Sequence, residues 1–169
     1  RSPIMVMNTT EAGFENIIRF QLEPELYSFK ILKSFQQYLQ QKNISQYPVH
    51  LKLDTGMHRL GFMPEEIEEL LSLLKSNNTF QIKSVLSHLV ASENAEQDTF
   101  TIRQGQLFQS MANQIEAVIG YQFIRHISNT SAIHHHPQLQ FDMVRLGIGL
   151  YGIDDKISLQ NVTTLKTTI

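Results

Sequence analysis

The sequence predicts an α/β fold built on a parallel sheet. Apolar segments with a period of two residues alternate along the chain with segments in which apolar residues recur at helical spacing. Strands separated by helical stretches pair in parallel through right-handed crossovers. The 169 residues suit one domain, and 41% apolar residues is an ordinary content for a globular chain with a core.

The elements follow one another in a regular order. Strand-like segments cover Pro3–Met7, Leu22–Tyr27, the first half of Val49–Leu60, Phe80–Leu89, Phe123–Ile127 and Phe141–Leu146. Two segments, Ser28–Asn43 and Pro64–Asn77, are predicted to be helical. A short helix that Thr10 could cap and a long helix that Asp98 would cap are predicted as well. This alternation is typical of βα units.

Two of the helices are specified in detail. In Ser28–Asn43 the apolar residues fall at helical spacing, and the Ser28 hydroxyl can accept a backbone hydrogen bond at the start. Pro64–Asn77 begins with a proline suited to the first turn, and four glutamates follow where the helix dipole favours negative charge. Its buried stripe consists of Ile67, Leu70, Leu71 and Leu74.

The segment Val49–Leu60 has an unusual polar face. Val49, Leu51 and Leu53 alternate with His50, Lys52 and Asp54. Gly56 breaks the strand and Arg59 follows in the loop. A charged face that runs into a glycine turn is typical of an α/β active site at the carboxyl end of a strand. A solvent-facing edge strand fits the pattern equally well.

Polar or glycine-rich residues follow four strands where each strand ends. They are Lys52 with Arg59, His88, Asn129 with Thr130, and Arg145 with Gly147. In an α/β barrel the carboxyl ends of the strands share one rim, so we expect these residues to meet. Cations, hydroxyls and a glycine turn can hold a phosphate and a carboxylate. Neither common glycine-rich nucleotide motif is present in the sequence.

Composition argues against several classes of partner. A net charge of −2 gives no reason to expect nucleic acid or an anionic membrane, and no apolar run approaches the ~18 residues of a membrane span. The absence of cysteine excludes disulfides and favours a reducing compartment, so we predict a cytoplasmic protein. The run His134–His136 suggests a metal site. Consecutive histidines cannot all face one ion, however, and we interpret the run as a surface loop and predict no metal.

Four motifs carry a resemblance to a known family. H-L-K-L-D-T-G-M-H-R-L-G at 50–61, S-H-L-V-A-S-E at 87–93, S-N-T-S-A at 128–132 and F-D-M-V-R-L-G-I-G-L-Y-G at 141–152 resemble alanine racemase. That family consists of pyridoxal-phosphate enzymes with an N-terminal TIM barrel and a C-terminal β domain. The motifs occur in the family's order and cover nearly the whole chain.

The resemblance implies cofactor-binding roles. Arg145 would contact the pyridine nitrogen of pyridoxal phosphate, and His88 would position Arg145 or stack near the ring. The backbone amides of Gly147 and Ile148 would bind the phosphate. Thr130 stands where the family usually has serine, and its hydroxyl could serve the same phosphate.

The resemblance also implies roles for residues near the substrate. Asn129 would lie beside the phosphate site. Arg59 would contact the phenolic oxygen of the cofactor and help to place the substrate carboxylate. Lys52 occupies the position that many members carbamylate, which would give an anion that orients Arg59. The alternative for Lys52 is an ordinary lysine paired with Asp54.

The sequence departs from the family at both ends. Nothing resembles the cofactor-lysine motif V-K-A-N-A-Y-G-H-G, and the catalytic tyrosine of the β domain is absent. We therefore expect residues 1–155 to form an incomplete (β/α)8 barrel covering about strands 3 to 8, and residues 156–169 to open a truncated β domain. Thr163–Ile169 resembles the first strand of that domain. A complete barrel needs roughly 200–250 residues.

These departures limit the expected activity. The parent enzyme would interconvert L- and D-alanine for bacterial peptidoglycan synthesis as a homodimer, whereas this chain alone should neither bind the cofactor covalently nor racemise alanine. Exposed strand edges make self-association plausible. A related pyridoxal-phosphate homeostasis protein or amino-acid decarboxylase is the alternative. The K-L-D-T-G-M and M-V-R-L-G-I-G-L-Y-G segments favour the racemase.

Overall fold

A computed structural model describes residues 2–154, 157–160, 162, 164, 166 and 167. In that part of the chain five strands form one sheet, namely β1 (Met5–Val6), β2 (Glu23–Leu26), β3 (Tyr47–Lys52), β4 (Phe80–Leu86) and β5 (Ile124–His126). The α-helices are α1 (Phe14–Phe20), α2 (Phe29–Gln41), α3 (Ile67–Lys75), α4 (Asp98–Ile119) and α5 (Thr130–His135). Neighbouring strands are parallel and follow chain order, which confirms the α/β prediction.

The strand register brings the carboxyl ends of the strands to one edge of the sheet. Leu51 of β3 lies opposite Leu26 of β2, and Lys52 lies opposite Leu86 of β4. Leu86 in turn lies opposite His126 of β5. Side chains in the segments that follow these residues therefore start from neighbouring points.

The two detailed helix predictions are confirmed with small changes at the ends. The Ser28 hydroxyl accepts a hydrogen bond from the Ile31 amide at 3.4 Å and caps α2. A single 3-10 turn, Pro64–Glu66, precedes α3. Asp98 is the first residue of α4 rather than its cap, because the 3-10 turn Ala95–Gln97 leads directly into the helix.

One face of the sheet packs into an apolar core with the helices. Leu51 and Leu53 of the β3 segment are fully buried, as are Phe35 of α2, Leu70 of α3 and Phe108 of α4. Burying a side chain of this size contributes about 1.5–3 kcal/mol. The core thus fixes β3 in the middle of the sheet.

The polar face of β3 is also buried. His50 is 9% exposed, Lys52 is 5% exposed and Asp54 is 4% exposed. The interpretation of this segment as a solvent-facing edge strand is therefore wrong, because β3 is paired on both sides. Alternate residues of a strand point to opposite faces, so these charges form a polar layer away from the apolar core.

The predicted strand Phe141–Leu146 is not formed. Phe141 has a left-handed backbone with φ of 50°. Asp142 donates its amide to the Arg125 carbonyl at 3.1 Å, but its carboxylate accepts the Arg125 amide at 2.8 Å. The Asp142 carboxylate thus accepts the Arg125 amide, which a regular β-ladder would pair with a backbone carbonyl. The segment therefore runs as a loop beside β5.

The remaining observations concern the predicted carboxyl-terminal strand and the character of the helices. The strand expected at 163–169 falls largely outside the described residues, because positions 163, 165, 168 and 169 are not among them. Within the part of the chain that the structure describes, no helix combines the length and the apolar character needed to cross a membrane.

Candidate functional site

Arg145 lies on the loop after β5 and joins the ends of two strands. Its Nη1 donates to the His126 carbonyl at 3.1 Å. Its Nη2 donates to the carbonyls of Ser87 at 2.5 Å and Ile127 at 3.2 Å. Burial lowers the Arg145 pKa to about 10, which leaves the guanidinium protonated at neutral pH. Among the described residues nothing accepts a hydrogen bond from its Nε–H, so this donor can meet a ligand.

Two neutral histidines face this guanidinium. The Nδ1 of His126 lies 2.5 Å from Nη1 of Arg145, and the Nδ1 of His88 lies 3.4 Å from Nη2. Burial first, and then the charge of Arg145, lowers the pKa of His88 to about 4 and that of His126 to about 3. Because a guanidinium can only donate, both Nδ1 atoms must present lone pairs to it. The structure thus places His88 beside Arg145, with His126 in closer contact.

Lys52 lies next to a buried carboxylate that the sequence analysis did not single out. Its Nζ is 3.8 Å from Oε2 of Glu25, which is fully buried, and both carboxylate oxygens lack a hydrogen bond from any described residue. Burial raises the Glu25 pKa and lowers the Lys52 pKa, and their mutual attraction opposes both shifts. The charges of Arg59 and Arg145 also act on the pair.

Asp54 shapes the loop that carries Arg59 rather than pairing with the lysine. Its carboxylate accepts the amides of Gly56 at 2.9 Å, Met57 at 3.0 Å and Arg59 at 3.1 Å. The loop closes at Gly61, where φ is 127° and an added Cβ would lie 2.6 Å from the Asp54 nitrogen. Only glycine fits there. The loop leaves the Arg59 side chain exposed at the carboxyl edge of the sheet.

The start of α5 contacts the glycine loop. The Thr130 hydroxyl accepts the amides of Gly147 at 3.0 Å and Gly149 at 3.2 Å. A Cβ at Gly149 would lie 2.7 Å from Thr130 Cγ2, so the backbone approaches this side chain closely. Asn129 caps α5 by accepting the Ala132 amide at 3.1 Å. A cleft of about 100 Å³ here is lined by Glu93, Thr130, Ser131, His135, Ile148, Ile153 and Asp154.

A larger groove lies elsewhere. It measures about 780 Å³ and runs along the edge formed by β5, with Lys83, Tyr121 and Ile124 in its lining. None of the site residues predicted from sequence lines it. Its volume reflects an open strand edge rather than converging polar groups, so we place the functional site at the carboxyl edge of the sheet.

Comparison with known proteins identifies the family of this chain. Residues 1–155 match the family model described as alanine racemase, N-terminal domain. The chain belongs to the alanine racemase family. It is 35% identical to the alanine racemase of Clostridium tetani, over 99% of this chain and 45% of that protein. This member of the racemase family thus spans less than half the length of that curated relative.

Solved alanine racemases share the fold. The alanine racemase of Clostridium difficile 630 aligns with a TM-score of 0.81 at 25% identity, covering 94% of this chain and 41% of that one. An alanine racemase from Bartonella henselae with covalently bound pyridoxal phosphate aligns with a TM-score of 0.78 at 27% identity, covering 90% and 42%. The parallel α/β sheet of this racemase-family chain is therefore similar to the alanine racemase barrel domain.

The predicted site residues do converge. Arg145 contacts His88, and the charges of Lys52 and Arg59 act on His88 as well. Thr130 holds the loop that contains Gly147 and Ile148, and its neighbour Asn129 caps α5 and binds Ser92. Sequence reasoning missed Glu25. A period-two interpretation of Leu22–Tyr27 would have placed Glu25 on the polar face.

The histidine run differs from the prediction. His134 and His135 belong to α5, and His136 is 2% exposed with Nε2 3.5 Å from Asp98. The surface-loop interpretation is therefore wrong, because His134 and His135 lie in a helix and His136 is buried beside Asp98 of α4. Among the residues that the structure describes, no three His, Cys, Asp or Glu side chains are placed to hold a metal.

Proposed function

We propose that this chain binds pyridoxal 5'-phosphate as part of an enzyme that interconverts L- and D-alanine. One observation carries the proposal: the half-buried Arg145 has its terminal nitrogens fixed by backbone carbonyls and turns Nε–H towards no described acceptor. A donor-only group held in this way suits an aromatic ring nitrogen. Membership of the alanine racemase family supports the same ligand.

Arg145 would determine the protonation of the ring nitrogen. With a pKa of about 10, its guanidinium does not give up a proton at neutral pH, so the ring nitrogen stays unprotonated. When bound, pyridoxal phosphate supplies an electron sink for the substrate α-carbon. An unprotonated ring is a weaker sink, which favours return of a proton to that carbon and hence racemisation over transamination.

The phosphate would lie at the start of α5. Thr130 can donate its hydroxyl proton and Ile148 its backbone amide, and the Gly147 amide would have to turn from the Thr130 oxygen to the phosphate. The lack of a side chain at Gly147 permits close approach of an anion. Asn129 orders the turn by capping α5 and accepting the Ser92 hydroxyl at 2.7 Å.

Binding of pyridoxine 5'-phosphate tests this proposal. This probe has no aldehyde, so surface lysines cannot capture it covalently. We expect saturable binding by calorimetry, and much weaker binding of pyridoxine, which lacks the phosphate. Thr130→Val removes only the hydroxyl and should weaken binding by about fivefold, since a hydrogen bond contributes about 1 kcal/mol. Absence of saturable binding by the wild-type chain, or equal affinity for the two probes, would overturn the proposal.

Lys52 and Arg59 would serve the substrate side. Arg59 offers a forked donor to the substrate carboxylate and to the phenolic oxygen of the cofactor. The lowered pKa of Lys52 enlarges the fraction of neutral amine, the form that attacks carbon dioxide. The N–C bond forms, the nitrogen loses a proton, and the nearby Glu25, with its raised pKa, can accept that proton. The resulting carbamate would attract and orient Arg59.

Carbamylation of Lys52 can be detected directly. We expect the native mass under bicarbonate to exceed the sequence mass by one carbon dioxide, with the adduct lost in Lys52→Met. The control is Lys33→Met, which removes an exposed lysine paired with Glu69 at 3.0 Å and should keep the adduct. A native spectrum without the adduct, or one in which Lys52→Met retains it, would count against the modification.

The remaining properties are proposals for the whole enzyme. Residues 1–155 would correspond to about strands 3 to 8 of the (β/α)8 barrel, and residues 156–169 would open the β domain. The enzyme would act in the cytoplasm as a homodimer in peptidoglycan synthesis. Formation of D-alanine from L-alanine by the complete open reading frame tests the activity, and light scattering tests the assembly.

A further inference from the structure

A continuous series of hydrogen bonds crosses the sheet from Arg145 to Glu23. Arg145 Nη1 meets His126 Nδ1 at 2.5 Å, and His126 Nε2 meets the Ser84 hydroxyl at 2.9 Å. The same hydroxyl lies 2.6 Å from His50 Nδ1, and His50 Nε2 lies 2.9 Å from Glu23 Oε2. We call these five residues the cross-strand series. Its four members before Arg145 come from β2, β3, β4 and β5 in turn.

The series is shielded from water over most of its length. His126 is fully buried, Ser84 is 1% exposed and His50 is 9% exposed. At the far end the Glu23 side chain is 15% exposed. In such surroundings water does not replace a lost hydrogen bond, so each polar atom depends on its neighbour in the series.

The chemistry of Arg145 fixes the direction of the first two bonds. A guanidinium has no acceptor, so His126 Nδ1 must carry the lone pair. Burial and the charge of Arg145 depress the His126 pKa, and the ring is neutral. Its single proton is therefore on Nε2, which donates to the Ser84 oxygen.

Glu23 fixes the other end. A carboxylate can only accept, so His50 Nε2 must carry a proton. Burial lowers the His50 pKa against the opposing effect of Glu23, and the neutral ring leaves Nδ1 as an acceptor. The Ser84 hydroxyl accepts from His126, and its one proton goes to His50. Every member of the series thus has a single consistent arrangement.

We propose that His126, Ser84 and His50 are positioning residues for Arg145. They orient the His126 lone pair at the guanidinium, and this contact acts with the carbonyls of Ser87, His126 and Ile127 to hold the guanidinium plane so that Nε–H points at the ring nitrogen of the ligand. The assignment of that ligand rests on the proposed function. The contact from His88, at 3.4 Å, is too long to hold the plane by itself.

Ser84 is the member of the cross-strand series that can be altered with the least effect on the other members. Ser84→Ala deletes one buried hydroxyl from the middle of the series and leaves both histidines and the arginine in place. Ser84→Thr restores a hydroxyl on a side chain that suits a strand. The matched control is Ser128→Ala, which deletes an equally buried hydroxyl that donates to the Leu139 carbonyl at 2.7 Å, outside the series.

Nitrogen-15 NMR of the wild-type chain and these variants tests the inference without any ligand. We expect wild-type His126 and His50 to be neutral with the proton on Nε2. In Ser84→Ala the solvent exchange of the Arg145 Nε–H should accelerate by about tenfold, equivalent to about 1.4 kcal/mol. Ser84→Thr should restore slow exchange, and Ser128→Ala should stay within about twofold of wild type, since its hydroxyl lies outside the series.

The possible results separate this inference from the proposed function. A proton on Nδ1 of either histidine in the wild type, or equal exchange in Ser84→Ala and Ser128→Ala, would overturn the positioning role. Wild-type protein that shows the expected tautomers and exchange but fails to bind pyridoxine 5'-phosphate would instead support the positioning role and reject the proposed ligand.

Discussion

Replacing Arg145 with methionine is expected to destabilise the chain by about 3–5 kcal/mol, because a half-buried guanidinium that donates several charge-assisted hydrogen bonds is removed. The carbonyls of Ser87 and Ile127 would lose the Arg145 donor, and the His126 carbonyl would keep only the Ser87 amide. Methionine fills much of the volume but donates nothing. Urea unfolding measures the loss as a lower midpoint at constant slope, and binding of pyridoxine 5'-phosphate should disappear in the same variant.

A matched control separates charge removal from loss of the site. Arg103→Met removes an exposed arginine of α4 and should change stability by less than about 0.5 kcal/mol. An Arg145→Met protein as stable as this control would show that the contacts at the carboxyl edge of the sheet contribute little.

The same variant should alter the response to acid. His88 and His126 have pKa values of about 4 and 3, below the ordinary 6.5. Both rings therefore bind protons more readily in the unfolded chain than in the folded chain. The free energy of unfolding of the wild type consequently decreases as pH falls below about 6.5 towards 4. Without Arg145 the largest repulsive contribution to each shift is lost, while burial and the repulsion from Lys52 remain. The loss of stability between pH 7 and pH 5 should therefore be smaller in Arg145→Met.

Local sequence patterns predicted most of the helices and strands, because the spacing of apolar residues within a segment indicates which of the two it forms. Helical spacing of apolar residues placed α2 and α3 to within a turn, and period-two alternation placed β3 and β4. The alternation in Phe141–Leu146 predicted a strand that does not form. Pairing there depends on what the Asp142 carboxylate binds, and no local pattern reports that.

The site was predictable only in its outline. The rule that chemistry gathers at the carboxyl ends of parallel strands singled out Lys52 and Arg145. The structure brings both residues to that edge of the sheet, although the strand-like run that contains Arg145 is a loop. Glu25 and Ser84 matter through partners on other strands. Their roles depend on register, since a slip of one residue would turn each to the opposite face. That register is set by the whole core.

Replacing both Lys52 and Glu25 with apolar residues should have an effect opposite to that of replacing one. Lys52→Met alone leaves a fully buried carboxylate without its counter-charge, and Glu25→Leu alone leaves a buried ammonium. Each should destabilise the chain by about 3–5 kcal/mol. The double variant removes both desolvation costs, and we expect its free energy of unfolding to exceed that of the wild type by about 1–4 kcal/mol. Urea unfolding of the four proteins at pH 7 in buffer free of carbon dioxide, where Lys52 carries no carbamate, gives the coupling free energy.

The double variant is expected to be more stable than the wild type because few other contacts compensate the burial of the Lys52 and Glu25 charges. The two charges are 3.8 Å apart, and neither oxygen of Glu25 receives a hydrogen bond from the described residues. Attraction at this distance does not repay the removal of two charges from water unless further hydrogen bonds assist. A double variant less stable than the wild type would show that the pair stabilises the fold. A more stable one would show that Lys52 and Glu25 reduce stability, as expected of residues retained for the chemistry at the sheet edge.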